Sequence, residues 1–159
     1  MNARSKFALM LAAATMVVPQ AASAATPSAK LWNGTWNLDA AKSKFASPAK
    51  EQSETRTYEV SATRLTMKSS SKDMAGKELN FSYSAGWNGK SYPMVGNPNA
   101  DSISLTAVSP REVKALSRFH GKLSVQSTAT VSADGKHLTI KRKMLRLKGA
   151  PTDVLEFDR

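Results

Sequence analysis

The chain has 159 residues, no cysteine, and 23 Lys and Arg against 12 Asp and Glu, a formal net charge of +11. The missing cysteine excludes a disulfide framework, thiol catalysis and a lipid-anchored cysteine. The positive balance favours anionic partners such as membrane surfaces or acidic polymers, although a basic surface can also serve solubility alone.

The first segment reads as an export signal. Arg4 and Lys6 form a basic start, Phe7–Val18 is apolar apart from Thr15, and Ala22-Ser23-Ala24 fits the small-x-small cleavage rule. The apolar run falls short of the roughly 20 residues that a membrane-spanning helix needs. The pattern predicts a signal peptide over 1–24, cleavage after Ala24 and a periplasmic or secreted product. Loss of Arg4 and Lys6 takes the charge from +11 to +9. Residues 25–30 read as a flexible N-terminal linker and 31–159 as a single domain.

Leu31–Leu38 holds two of the three tryptophans and reads as the opening strand, with Gly34-Thr35-Trp36 at its centre. Asp39–Phe45 suits one or two helical turns, with Asp39 as N-cap. Glu51–Val60 and Arg64–Ser69 read as strands, with Arg56, Tyr58 and Val60 sharing one face of the first. Glu78–Trp87 has the clearest alternation: Leu79, Phe81, Tyr83, Ala85 and Trp87 share a face. Asn88-Gly89 predicts a tight hairpin. Pro93 marks the next strand as an edge or a bulged one. Ser102–Val108, Glu112–Phe119, Lys122–Val131, Lys136–Leu147 and Asp153–Asp158 complete the set, with turns at His120-Gly121 and Asp134-Gly135.

Short strands, brief Gly/Asn/Asp turns and no long helical period predict an all-β fold. Chain-order hairpins favour a small antiparallel up-and-down barrel of about eight to ten strands, with a β-sandwich as the alternative. Closure would remove the unpaired edges.

Several stretches together carry a family resemblance: Gly34-Thr35-Trp36-Asn37-Leu38, Ala41-Lys42-Ser43-Lys44-Phe45, Thr55-Arg56-Thr57-Tyr58-Glu59, Asn88-Gly89-Lys90, Tyr92-Pro93, Gly96-Asn97-Pro98 and Asp134-Gly135-Lys136. They resemble uncharacterised small secreted bacterial proteins of lipocalin-like (calycin-like) β-barrel type. The resemblance implies a barrel and, loosely, ligand binding; it carries no reaction. It also implies a late arginine over Trp36, for which Arg142 is the candidate.

Chemistry-bearing clusters are scarce. His120 and His137 fall in different hairpins without metal-ligand spacing, and no serine occupies a Gly-x-Ser-x-Gly elbow. Glu51/Glu54 and Glu156/Asp158 are the nearest carboxylate pairs, both expected at strand surfaces among basic residues. No residue pattern predicts a catalytic residue, metal site, cofactor motif or nucleic-acid signature. The aromatic face is more informative. Tyr58, Tyr83 and Trp87 suit either a packed core or an apolar pocket wall with hydrogen-bonding tips. Arg142 and Arg146 share the face of Leu138 and Ile140, and Arg56 that of Tyr58. Unpaired arginines are costly to bury. Three readings stand side by side: a bulge turns them to water, one covers Trp36, or one meets an anionic ligand group.

The expectation is an exported barrel that binds a small, partly apolar ligand, with an anionic group among the options. Trp36, Arg56, Tyr58, Tyr83, Trp87 and Arg142 are its candidate binding residues. The alternatives are a basic module docked on an anionic envelope surface and, third, an enzyme.

Overall fold

The computed structural model describes residues 25–159; the expected signal peptide over 1–24 lies outside them. The elements are a helical turn α1 (Ala29–Trp32) and ten strands: β1 (Gly34–Leu38), β2 (Glu51–Val60), β3 (Arg64–Asp73), β4 (Glu78–Gly86), β5 (Asn88–Val95), β6 (Ser102–Ser109), β7 (Glu112–Phe119), β8 (Lys122–Val131), β9 (His137–Met144) and β10 (Thr152–Asp158). Each strand pairs antiparallel with its chain neighbours, and β1 pairs with β10, so the sheet closes into an up-and-down barrel. Closure satisfies the hydrogen-bonding edges that an open meander would leave at β1 and β10.

The seam is economical. β1 meets β10 only at Asn37↔Asp158 and Leu38↔Phe157. Lys44, in the long β1–β2 connection, then extends the pairing by bridging Val154. Asp153 fastens the same connection. It is fully buried, and its carboxylate accepts the backbone N–H groups of Ala46 and Ser47 (both 2.8 Å) and the Ser47 hydroxyl (2.7 Å).

Alternation within each strand sends one set of side chains inward. Tyr58, Leu65, Met67, Ile103, Leu105, Leu138, Leu155 and Phe157 are among the buried residues. The β2–β3, β4–β5, β6–β7 and β8–β9 turns lie at one end, the floor. The remaining turns and the β1–β2 connection lie at the other, the mouth. α1 plugs the floor: Ser28 N–H and the Trp32 indole both donate to Pro110 O, in the β6–β7 turn (2.9 and 3.1 Å).

Local readings change at four places. Leu31 and Trp32 belong to α1, and the opening strand starts only at Gly34, whose φ of +124° lets the chain turn from helix into sheet. Asp39–Phe45 forms a single turn, closed by Lys42 N–H on the Asp39 carboxylate (3.0 Å), without helix. Asn88-Gly89 is no tight hairpin; it lies within β5, where the register against β6 shifts between Asn88 and Ser91. The two consecutive positive φ angles of such a hairpin occur instead at His120 and Gly121, between Phe119 and its partner Lys122. Of residues 25–30, read as a linker, Pro27 is buried and Ser28 is bonded to Pro110.

Candidate functional site

The interior is not filled. β7 and β8 face it with small residues, Ala115 and Ser117 beside Ser127 and Ala129, and Ala115 is paired directly with Ser127. Beside and across from them β3–β6 present Met67, Phe81, Tyr83, Met94, Ile103 and Leu105. Short side chains on one wall leave a cavity of about 180 Å³ with Trp32 in its lining. Towards the mouth it meets a basin of about 400 Å³ edged by Pro48, Lys50, Met74, Lys77 and Pro98; the two share Ala49, Glu51, Ser71 and Leu79.

A charged group interrupts this apolar lining. Arg142 faces inward on β9, in phase with Leu138 and Ile140. Its Nη1 and Nη2 donate to the two carboxylate oxygens of Glu51 (2.7 and 2.9 Å), Nε to Asp153 Oδ2 (3.0 Å), and Nη2 also to Ala49 O (3.0 Å). Arg56, on β2, donates from Nε to Glu54 Oε1 (2.7 Å) and from Nη1 to the Tyr58 hydroxyl (3.4 Å). Its guanidinium also lies 5.1 Å from the Phe157 ring centre. The Ser69 hydroxyl donates to the same Glu54 oxygen (2.6 Å). Glu54 is only 4% exposed, and no described residue bonds its Oε2.

The protonation states follow from these partners. Burial opposes ionisation of Glu54, but the Arg56 charge and the bonds from Arg56 and Ser69 outweigh it and hold the carboxyl below its ordinary value. Burial likewise opposes Asp153, and Ser47 and Arg142 hold it low. Burial also opposes the charge on Arg56 and Arg142, but Glu54 for the first and Glu51 for the second raise their pKa values further. Tyr58 and Tyr83 are pushed up by burial and stay neutral. Three carboxylates thus face two guanidinium groups around the cavity.

The structure separates the six residues expected to bind ligand. Arg56, Tyr83 and Arg142 line the cavity. Tyr58 is buried beside it, its ring 5.8 Å from that of Trp32 in an edge-on contact, its hydroxyl on Arg56. Trp36 is 0% exposed and donates its indole N–H to Trp32 O (3.0 Å), as a core residue at the floor. Trp87 is half-buried after β4 and donates to Ser61 O (3.3 Å) at the floor-end turns; neither tryptophan is part of the cavity lining.

Arg142 does not cover Trp36. Arg159 does, with its guanidinium 4.5 Å from the ring centre and Nη1 donating to Asn33 O (2.7 Å). Arg142 cannot reach it, because the acids near the mouth hold its guanidinium. Arg146 lies beyond the end of β9, over Phe119 at 4.8 Å. Glu51 and Glu54, expected at the surface, point inward. Glu54 shares the period-two phase of Arg56, Tyr58 and Val60, and that phase was its available signal. Asp153 gave no signal, since its partners, Ala46 and Ser47 in the β1–β2 connection and Arg142 on β9, lie outside its own strand. Among the described residues no three His, Cys, Asp or Glu side chains group as a metal site, and no helix is long and apolar enough to cross a membrane.

No family model, curated protein or solved structure matches the chain.

Proposed function

We propose that this protein is an exported binding barrel that holds a small, partly apolar ligand in its interior, entered from the mouth. One observation carries the reading: an apolar cavity continuous with the mouth, into which a few polar groups converge. That is the composition of small-molecule sites, which are mostly apolar with a small number of placed polar groups. The inner cavity, at about 180 Å³, is below the roughly 300–1,000 Å³ of typical ligand sites. A ligand that fills it therefore extends into the basin. The export-signal pattern in the sequence and the resemblance to secreted lipocalin-like barrels support the same reading, with the ligand met in the periplasm or outside the cell.

The test is titration with N-phenyl-1-naphthylamine, a neutral apolar fluorophore. The wild-type chain is expected to give saturable enhancement, and Ala129→Leu, which fills the small-residue wall, to abolish it while remaining folded. Absence of saturable binding to the wild-type chain, by this fluorophore and by eight-carbon amphiphiles alike, sinks the proposal.

A second reading has its own observation. The mouth-end turns and the β1–β2 connection carry Lys42, Lys44, Lys50, Lys77, Arg146 and Lys148 against Asp39 and Asp101. Such an excess suits docking on an anionic envelope surface. Retention on anionic vesicles that salt abolishes would support it, since screening over about 10 Å at 0.1 M weakens such contacts; retention indifferent to salt would count against it.

A further inference from the structure

Glu54 is the unbalanced member of the interior. Its Oε1 accepts from both Arg56 and Ser69, while its Oε2 has no partner among the described residues. A buried carboxylate oxygen without a donor is costly, and native structures seldom leave one so. The imbalance is also one of charge. Glu51, Glu54 and Asp153 carry one negative charge more than Arg56 and Arg142 supply; Glu51, Glu54, Arg56 and Arg142 line the same cavity, and Asp153 is bonded to Arg142 behind it.

An anionic guest is poorly matched to this. Arg142 already spends four hydrogen bonds on Glu51, Asp153 and Ala49 O. A guest carboxylate would enter beside two existing carboxylates and leave Glu54 Oε2 unmet. A guest that brings a donor satisfies Oε2, and one that also brings positive charge cancels the excess. Tyr83 lines the same cavity, and its hydroxyl has no bond to a described residue, so it can accept a second N–H.

We propose that Glu54 is the head-group acceptor for the interior ligand, and that this ligand is an amphiphilic amine: a primary ammonium on a short apolar body. The inference rests on the interior-binding reading and narrows it. The ammonium donates to Glu54 Oε2, and the apolar body lies along Met67, Ile103 and Leu105. Glu54 is ionised at neutral pH because Arg56 and Ser69 stabilise its charged form against burial, so it is ready to accept.

The experiment compares four probes on one eight-carbon chain by calorimetry at pH 7: octylammonium, 1-octanol, octanoate and N,N,N-trimethyloctylammonium. Octylammonium is expected to bind at least tenfold tighter than octanoate, with octanol between them. The trimethylated probe keeps the charge and loses every donor, and is expected at least fivefold weaker than octylammonium. Glu54→Gln is expected to bring octylammonium and octanol within threefold of each other. Octanoate binding as tightly as octylammonium overturns the proposal, and so does a trimethylated probe as tight as the primary amine. The probe series on the wild-type chain decides the matter even if Glu54→Gln does not fold. If N-phenyl-1-naphthylamine saturates while octanoate wins, only the head-group assignment fails. If neither that fluorophore nor any of the four probes binds, the interior-binding reading fails with it.

Discussion

Arg142 and Glu51 are joined by two parallel hydrogen bonds, 2.7 and 2.9 Å long, from guanidinium to carboxylate. They come from β9 and from the first residue of β2, 91 residues apart in the chain, and lie at the mouth side of the cavity. The planar fork of arginine fits a carboxylate in this way, and lysine does not. Asp153 takes the remaining edge of the guanidinium through Nε. It also ties down the connection that closes the β1–β10 seam.

Removing the central cation should therefore open the seam. Arg142→Ala leaves Glu51 and a fully buried Asp153 without their counter-charge, and breaking a buried pair in this way costs about 3–5 kcal/mol. Arg142→Lys keeps the charge without the fork and should recover only part of it. Urea unfolding of the three proteins checks the order, and a loss below about 1 kcal/mol for Arg142→Ala would refute the role given to the network.

Trp36 reports on a different arginine. Arg159→Ala removes the cation 4.5 Å from its ring and the bond to Asn33 O. A loss of about 0.5–2 kcal/mol is expected from the cation–π contact, with a change in tryptophan emission. An unchanged emission in Arg159→Ala would remove Arg159 as the cap.

Two alanines that look alike in sequence should respond in opposite ways. Ala129 borders the cavity, so Ala129→Leu fills empty space; stability should hold or rise, by up to about 0.8 kcal/mol per buried methylene. Ala85 is 0% exposed and does not line the cavity. Ala85→Leu overpacks the wall and should cost about 1–3 kcal/mol. Thermal unfolding of the pair checks this; equal losses would mean that the small-residue wall is already filled.

Stability should fall at both ends of the pH scale. Glu54 and Asp153 have folded pKa values below their unfolded ones. Their contribution is present above about pH 4 and lost as pH falls through the folded values. Tyr58 and Tyr83 have raised values. Their contribution is full below about pH 10 and lost as pH rises towards the folded values. Tyr83→Phe should flatten the alkaline limb and leave the acid limb unchanged. Stability measured by urea across pH 3–11 tests both limbs.

Gly96 and Gly121 both have positive φ, 87° and 76°, but differ in surroundings. A Cβ at Gly96 would run into the Asn80 carbonyl, across the β4–β5 pair, whereas one at Gly121 meets nothing within 4 Å. Gly121→Ala should cost only the backbone strain, about 1 kcal/mol, and Gly96→Ala clearly more. β4 and β5 are registered only at Ser82↔Val95 and Tyr83↔Met94, so this part of the wall has little reserve. Chemical denaturation of the two variants gives the ranking, and a Gly121→Ala loss at least as large would remove the clash at Asn80 as the cause.

The alternation in Glu51–Val60 and Glu78–Trp87 was enough to establish strands and which side chains share a face, because a strand's two faces are written in consecutive residues. Chain-order hairpins were enough to establish an antiparallel meander. Closure was a further step: it depends on β1 and β10 meeting across the whole length of the chain, which no local pattern encodes. The same limit applied at the site. Arg56 and Arg142 were visible as cations on apolar faces, but their partners come from other strands, so whether they were capping Trp36, reaching solvent or paired inside could be decided only in three dimensions. That an arginine covers Trp36 was implied by the resemblance, but which one was not legible, since Arg159 reaches it only after β10 has returned to β1. The cavity itself arises from small residues on β7 and β8 facing large ones on β3–β6. Each wall reads as ordinary core by itself; the space exists only in their juxtaposition, and the unpartnered oxygen of Glu54 has meaning only beside it.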